Sequence, residues 1–581
     1  MRKLLLLFVS LTCSMSGFAN TSESLHELFE KYSSYVRDLS PRVDHPLNEM
    51  SKGGFADISP QAYQQQVKTY RQLLSQLKSI DRESLSEQDK VNFDMFDFRL
   101  TSDIENIVHE SYLFPMYGDT GFYFDLLRMG ETAEIKTKED AIFYIEKIEA
   151  IDSYFKRWQS NLELGVKKGK LMPDVVLVDF EKPLERLVSE NIEEHPLMQP
   201  LDALQKIMNE SDAQKLYKRA VIAIDKAVEP AVHSFVEFLV NDYLPQGRKS
   251  IAIYDIPGGD AYYRSQIKYY TTLSLSADKV HAIGMREVDR IRQQMMKVIQ
   301  DAKFKGSFSE FIEYLRTDPK FYAKSPEELL KEAAYIAKKM DGALPRFFTK
   351  LPRQPYTVEP VPASIAPRYT TGRYVDAPLD SQRPGTYWVN TYALDKRPLY
   401  VLEALTLHEA VPGHHLQNAL TKELQNLPKF RRDSYLSAYG EGWALYCEKL
   451  GIEAGFYQSP YSEFGRLSYE MWRAIRLVVD TGMHAKGWSR EKAIQFMEDN
   501  TALSKHNVKT EIDRYIAWPG QALSYKMGEL KILELREKAE QRLGKQFDIR
   551  AFHDEILSYG PVTLPILEKL MNQWIEKQAD V

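Results

Sequence analysis

The stretch Leu407–Leu420, LHEAVPGHHLQNAL, is the part of the chain from which the rest is read. His408 and Glu409 open an H-E-x-x-H pattern, in which two histidines one helical turn apart share a metal ion and the glutamate acts as a base. Here the position one turn on is Pro412, followed by Gly413, His414 and His415. Residues four apart lie on one helix face; residues six apart do not. Pro412 lacks the N–H that would bond back to the His408 carbonyl, and Gly413 tolerates almost any backbone angle. The spacing therefore predicts a helix that bulges at Pro-Gly, absorbs two residues and returns His414 to the face of His408. His415 shares that face only if the helix stays regular, and then sits roughly 10 Å along the axis, a long reach for a shared ion. His414 is the expected ligand, with His415 packed behind it. An HE pair alone is common, so a metal site also requires a third ligand further along the chain.

SAYGEGWALYCEKLG, Ser437–Gly451, supplies Glu441, 27 positions after His414. That distance allows one hairpin return, which would pack a second helix beside the first. His408, His414 and Glu441 then form a His/His/Glu set for one zinc per chain, with a fourth position left for water. Gly440 and Gly442 flank Glu441 and permit close backbone approach, while Trp443, Ala444 and Cys447 make an apolar face. Glu448, two turns after Glu441, shares its face and is expected to orient a ligand histidine. Further on, DTGMHAKGW carries His484, and DRYIAWPGQALSYKMG carries Arg514, Tyr515, Gln521, Tyr525 and Lys526. Tyr515, His484 and Arg514 are expected donors to an oxyanion, with Tyr525 against the substrate. A satisfied polar network between helices accounts for the same residues.

Upstream, residues 352–392 are the one region that reads as strand, rich in Pro, Tyr, Thr and Val. Its last segment, Gly385–Tyr392, is the expected edge strand for pairing with a peptide, with Tyr387 and Asn390 as substrate contacts. The alternative is a small sheet that only braces the helices. Elsewhere the pattern is helix after helix. PQAYQQQVKTYRQLLSQLKSI has apolar residues at helical spacing. Lys138–Gly169 reads as one long amphipathic helix ending at a glycine. Ala213–Pro245 reads as another, interrupted at Pro230. Ser276 is the expected cap of the helix after it. Met116–Phe124, MYGDTGFYF, is an aromatic loop or plain connector.

The chain has 581 residues, 44% hydrophobic and 12% aromatic, with net charge −6. This suits a large globular protein and argues against nucleic acid as partner. The N-terminus has a basic start, a short apolar core and SGFA, so residues 1–19 read as a signal peptide cleaved after Ala19. No stretch is long enough to span a bilayer. The expectation is an exported, periplasmic protein. Cys13 opens a lipoprotein reading, but Thr12 is a poor residue ahead of a lipidated cysteine. Without Cys13 only Cys447 remains, so no internal disulfide forms.

The segments HEAVPGHHLQ, YGEGWALYCEKLG, DTGMHAKGW, DRYIAWPGQALSYKMG, YYTTLSLSADKVHAIGMREV and PGTYWVNTY together resemble domain of unknown function family 885 (DUF885). The likeness covers nearly the whole mature chain, 22–580, as one continuous domain. Its motif helices resemble those of gluzincin metallopeptidases of the carboxypeptidase Taq type. There HExGH corresponds to His408, Glu409, Gly413 and His414, with two extra residues between. The expected architecture is mainly α, with residues 20–250 as an N-terminal helical region and 251–581 as a catalytic region holding the small sheet beside a cleft. The expected activity is zinc-dependent hydrolysis of short peptides with Glu409 as general base. Two other readings are a non-catalytic peptide-binding protein on this scaffold and a metal-dependent hydrolase of other amides or esters.

Overall fold

The structure, a computed structural model, describes residues 2–39, 54–115, 121–363, 365–379 and 383–580. These residues are mainly α-helical, with one three-stranded sheet. The chain divides into two compact units, Met1–Tyr262 with Ile516–Trp518, and Tyr263–Tyr515 with Pro519–Val581. No helix among the described residues is long and apolar enough to cross a membrane. The Cys13 and Ala19 side chains, and residues 116–120 of the aromatic loop, lie outside what is described.

The first unit follows the helical spacing of its sequence, with two adjustments. Helix Pro60–Ser79 starts where the Ser59 hydroxyl accepts the Ala62 N–H, and buries Val67, Tyr70, Leu73 and Leu77 on one stripe. Residues 138–167, expected as one helix, form two, Lys138–Glu149 and Ile151–Lys167, with Ala150 as the joint. Gly169 closes the second at φ +68°. The expected interruption at Pro230 takes the form of a π-turn, Ile224–Val228, just before the helix Glu229–Phe238. A wider turn accommodates the missing proline N–H without ending the helix.

The second unit is built around helix Pro460–Ala485, in which every residue from Phe464 to His484 is buried. A helix apolar on several sides belongs inside a protein, and each fully buried Leu, Ile, Val, Met or Phe contributes roughly 1.5–3 kcal/mol. Helix Ala277–Asp301, capped by Ser276, packs along it. Most charged side chains of the central helix are paired. Glu470 lies 2.9 Å from both Arg466 and Lys526, and Lys526 is also 2.6 Å from Glu529 and 3.2 Å from Glu287. Buried charges persist only when partnered in this way. Helices Ser437–Ala454 and Ser524–Leu543 meet backbone to backbone: a Cβ on Gly442 would lie 2.5 Å from the Gly528 Cα.

The sheet has strands β1 (Tyr356–Pro360), β2 (Gly372–Val375) and β3 (Gly385–Val389) in the order β1-β3-β2. β3 pairs in parallel with β1 and antiparallel with β2. β3 is thus the central strand, and the expectation that Gly385–Tyr392 offers a free edge is corrected. Its main-chain groups are already used on both sides, and β2 is the edge toward the motif helices.

Candidate metal centre

The two extra residues of the motif do not bulge within one helix; they break it. Helix Leu402–Glu409 stops, residues 410–413 form a turn containing a cis Val411–Pro412 bond, and a new helix, His414–Glu423, begins. The Gly413 N–H reaches the Leu407 carbonyl at 3.0 Å and the His415 N–H reaches Ala410 at 3.1 Å, so the polypeptide crosses the gap without losing these bonds. A Cβ on Gly413 would lie 1.9 Å from the His408 carbonyl oxygen, so only glycine allows this crossing. Trp443 Nε1 donates to the Pro412 carbonyl at 2.8 Å and pins the turn from the second motif helix, Ser437–Ala454.

The result brings His408, His414 and Glu441 together, with one donor atom from each lying within 4.8 Å of the others. Glu441 Oε2 is 3.4 Å from His408 Nε2 and 3.3 Å from His414 Nε2. Two atoms each about 2.0–2.1 Å from one tetrahedral zinc are roughly 3.3–3.4 Å apart, so both spacings from Glu441 suit that ion. Glu448 Oε1 accepts from His408 Nδ1 at 2.8 Å, which leaves the Nε2 lone pair for a cation. Arg473 neutralises Glu448 from the other side at 3.1 Å. Burial alone would lift the Glu441 carboxyl, but the neighbouring His414 and His408 hold it well below the usual range. Burial opposes charge on His408, yet Glu441 and Glu448 push its pKa up to about 10, so without an ion Nε2 carries a proton toward Glu441 that a metal would displace. Glu441, Glu448 and Glu409 around the two histidines make the site rich in carboxylates, which favour positive charge on His408.

Glu409 stands beside this set. Its Oε2 accepts from the Tyr374 backbone N–H at 2.8 Å, so β2 positions the carboxylate through its edge. His415 is not among the clustered donors. Its Nδ1 meets the Tyr374 hydroxyl at 3.2 Å and its ring lies 4.6 Å from that of Tyr356. Burial pulls its pKa down to about 4, so it stays neutral. It braces the strand that holds Glu409.

The other expected site residues have their own partners. The Tyr515 hydroxyl donates to Glu511 at 2.7 Å and accepts from Trp472 and Arg476 at 2.9 and 2.7 Å. His484 is fully buried and bonds the Tyr515 carbonyl at 2.9 Å. Arg514 donates to Gln521 at 2.8 Å and lies 3.4 Å from Glu511. These three expected oxyanion donors belong to a polar network between helices, because buried polar groups take the partners nearest to them. Tyr525 covers the Arg476 guanidinium, 4.1 Å from its ring centre. Tyr387 is wholly buried with its hydroxyl 3.3 Å from Thr406, and the Asn390 amide is bonded to the carbonyls of Ala366, Tyr369 and Thr370. Both side chains are spent on holding the sheet and its flanking turns together. Sequence reasoning does not find Tyr435, whose hydroxyl donates to Glu441 Oε1 at 2.8 Å, nor Tyr374 and Arg473. Nothing in the local pattern marks them, since each acts from outside the motif helices.

Comparison with known proteins shows the family and the fold. The profile of a family described as bacterial protein of unknown function (DUF885) matches residues 45–571. A crystal structure of a protein described as a lipoprotein from Colwellia psychrerythraea superposes with TM-score 0.84 at 28% identity, covering 96% of this chain and 99% of its own. A second, described as a lipoprotein of unknown function from Shewanella oneidensis, shares the fold with TM-score 0.71 at 18% identity, covering 94% and 99%. No curated protein matches.

Proposed function

We propose, for a chain that belongs to the DUF885 family of bacterial proteins of unknown function, an exported zinc-dependent peptidase acting on short peptides. The observation that carries this reading is the convergence of His408 Nε2, His414 Nε2 and Glu441 Oε2, with Glu409 held next to them by Tyr374. A zinc ion there supplies Lewis acidity toward water and a peptide carbonyl. Glu409 takes the proton of the attacking water and returns it to the leaving amine. The Tyr374 N–H holds one Glu409 oxygen and leaves the other for that proton. Tyr435, whose hydroxyl donates to Glu441 Oε1, steadies the carboxylate that would hold the ion. The broken motif is a variation on the gluzincin pattern, with Gly413 letting His414 return after two extra residues. Helical walls favour short peptides over folded proteins. The leader-like N-terminus and the lipoprotein description of the 28% identical protein support export.

The test is elemental analysis of the mature protein beside His408→Ala and His414→Ala, followed by a peptide screen of Glu409→Gln. Zinc at about one per chain, lost in both histidine variants, is expected. Glu409→Gln should keep zinc and lose about 10²- to 10⁴-fold in turnover. A zinc-free wild type, even after zinc is added back, would sink the reading.

A further inference from the structure

His408 and His414 face Glu441 alike, yet their far ring nitrogens are provided for differently. Each presents Nε2 to Glu441 Oε2, at 3.4 and 3.3 Å. A histidine that gives Nε2 to a cation carries its proton on Nδ1, and that proton needs an acceptor. His408 Nδ1 has Glu448 at 2.8 Å. His414 Nδ1 is buried and has no hydrogen-bond partner among the described residues. One turn further on, Gln417 Nε2 is also buried without a partner, on a residue 2% exposed. Such atoms are costly to leave unpaired, because each has given up its water and gained nothing.

The two side chains share a face. Both belong to helix His414–Glu423, three positions apart, the spacing at which helix side chains are neighbours. Both point to helix Ser437–Ala454: His414 meets Glu441, and Gln417 lies beside the Tyr439 hydroxyl, two residues earlier. That hydroxyl donates to the Ile556 carbonyl at 3.0 Å, so its oxygen has a lone pair left for an amide N–H. A glutamine amide carries a donor and an acceptor on its two corners, and its last torsion turns softly. With Nε2 toward Tyr439, the carbonyl oxygen is left to His414. A polar chain then runs from His414 Nδ1 through Gln417 and Tyr439 to helix Ile549–Ser558.

We propose that Gln417 is the positioning residue for His414: its side-chain carbonyl accepts the Nδ1 proton and fixes the ring with Nε2 toward Glu441 and a shared ion. The proposal rests on the metal-centre reading and assigns a residue that the motif does not mark. The acceptor is neutral, where that of His408 is a carboxylate. One histidine is thus held with a charge behind it and the other without.

The experiment separates metal binding from packing. Zinc affinity is measured by chelator competition on the mature protein, wild type beside Gln417→Leu and Gln417→Glu. Leucine fills the space and removes the acceptor; glutamate restores it. Gln417→Leu should bind zinc about 10- to 100-fold more weakly, and Gln417→Glu about as tightly as wild type. Without metal, Gln417→Leu should be no less stable to denaturant than wild type, because an unpaired polar group has given way to an apolar one. With isotope-labelled histidine, the zinc-loaded wild type should show a slowly exchanging Nδ1 proton on His414, and Gln417→Leu should lose it. Equal zinc affinity of wild type and Gln417→Leu, or a loss that Gln417→Glu fails to restore, overturns the proposal while the metal centre stands. A loss of affinity matched by a loss of metal-free stability also overturns it, since Gln417 would then serve packing alone. So does a zinc-loaded wild type whose His414 Nδ1 proton exchanges freely, whether or not the variants fold. A wild type that holds no zinc overturns this proposal and the metal reading together.

Discussion

Replacing Glu448 by glutamine separates a metal-orienting carboxylate from a mere counterion. Glu448 is 1% exposed, takes the His408 Nδ1 proton at 2.8 Å and faces Arg473 at 3.1 Å. The glutamine keeps the shape and loses the charge. Loss of an orienting carboxylate behind a ligand histidine weakens metal binding about 10- to 100-fold, or about 1.4–2.7 kcal/mol. Separately, Arg473, itself 4% exposed, is left without its carboxylate. Breaking a buried pair costs about 3–5 kcal/mol. Stacking of Arg473 on Trp472 and Tyr469, at 4.5 and 4.6 Å, remains in the variant and places the expected loss near 3 kcal/mol, the lower end of that range. Zinc affinity is read by chelator competition, and stability by denaturant unfolding of metal-free protein. Both should fall. A zinc affinity equal to wild type, with stability alone reduced, would refute the reasoning: Glu448 would then serve Arg473 only.

Three further outcomes rest on particular contacts. Gly413→Ala should abolish zinc binding, because the new Cβ would sit 1.9 Å from the His408 carbonyl and the turn would have to open; a variant that keeps its full zinc content would show that the turn is not what sets the ligands. Burial pushes the Asp480 carboxyl up to about 7, although the Tyr263 hydroxyl and the Gly520 N–H favour its charge. The native state therefore holds a proton that the unfolded chain releases above about pH 4, and stability falls by about 4 kcal/mol as pH rises from 4 to 7. Asp480→Asn should lack that decline, so its advantage over wild type in denaturant melts grows up to pH 7; parallel pH profiles would contradict this. Mass spectrometry of the exported protein should find Asn20 as the first residue, and a lipid-modified Cys13 at the N-terminus would overturn the cleavage assignment.

The helical framework is legible in the sequence because burial stripes recur at 3.6 residues. Val67, Tyr70, Leu73 and Leu77 mark the helix Pro60–Ser79 by their spacing alone, and Ser276 marks the start of another. The His408, His414 and Glu441 cluster is legible for a similar reason: an HE pair, a Pro-Gly break and a glutamate flanked by glycines are local features. What the pattern hides are joints and partners. Ala150 splits an amphipathic run whose two halves carry the same periodicity. Pro-Gly reads as a bulge, but a carbonyl-to-glycine contact that no spacing encodes makes it a break between helices.

Taken alone, the chain settles the mainly helical class, the one β region and the types of side chain available to hold a cation, because each of these depends on neighbours within a few residues. Tertiary packing decides the rest. It brings His414 rather than His415 beside His408 and Glu441 by turning the polypeptide at Gly413, and makes β3 central and β2 the edge through pairings between strands far apart in sequence. It commits Tyr515 and His484 to a buried network while leaving Tyr435 beside Glu441. The physical reason is that a polar side chain is defined by the partner it finds. Partners such as Glu448 for His408, 40 positions apart, are brought together only by the packing of whole helices.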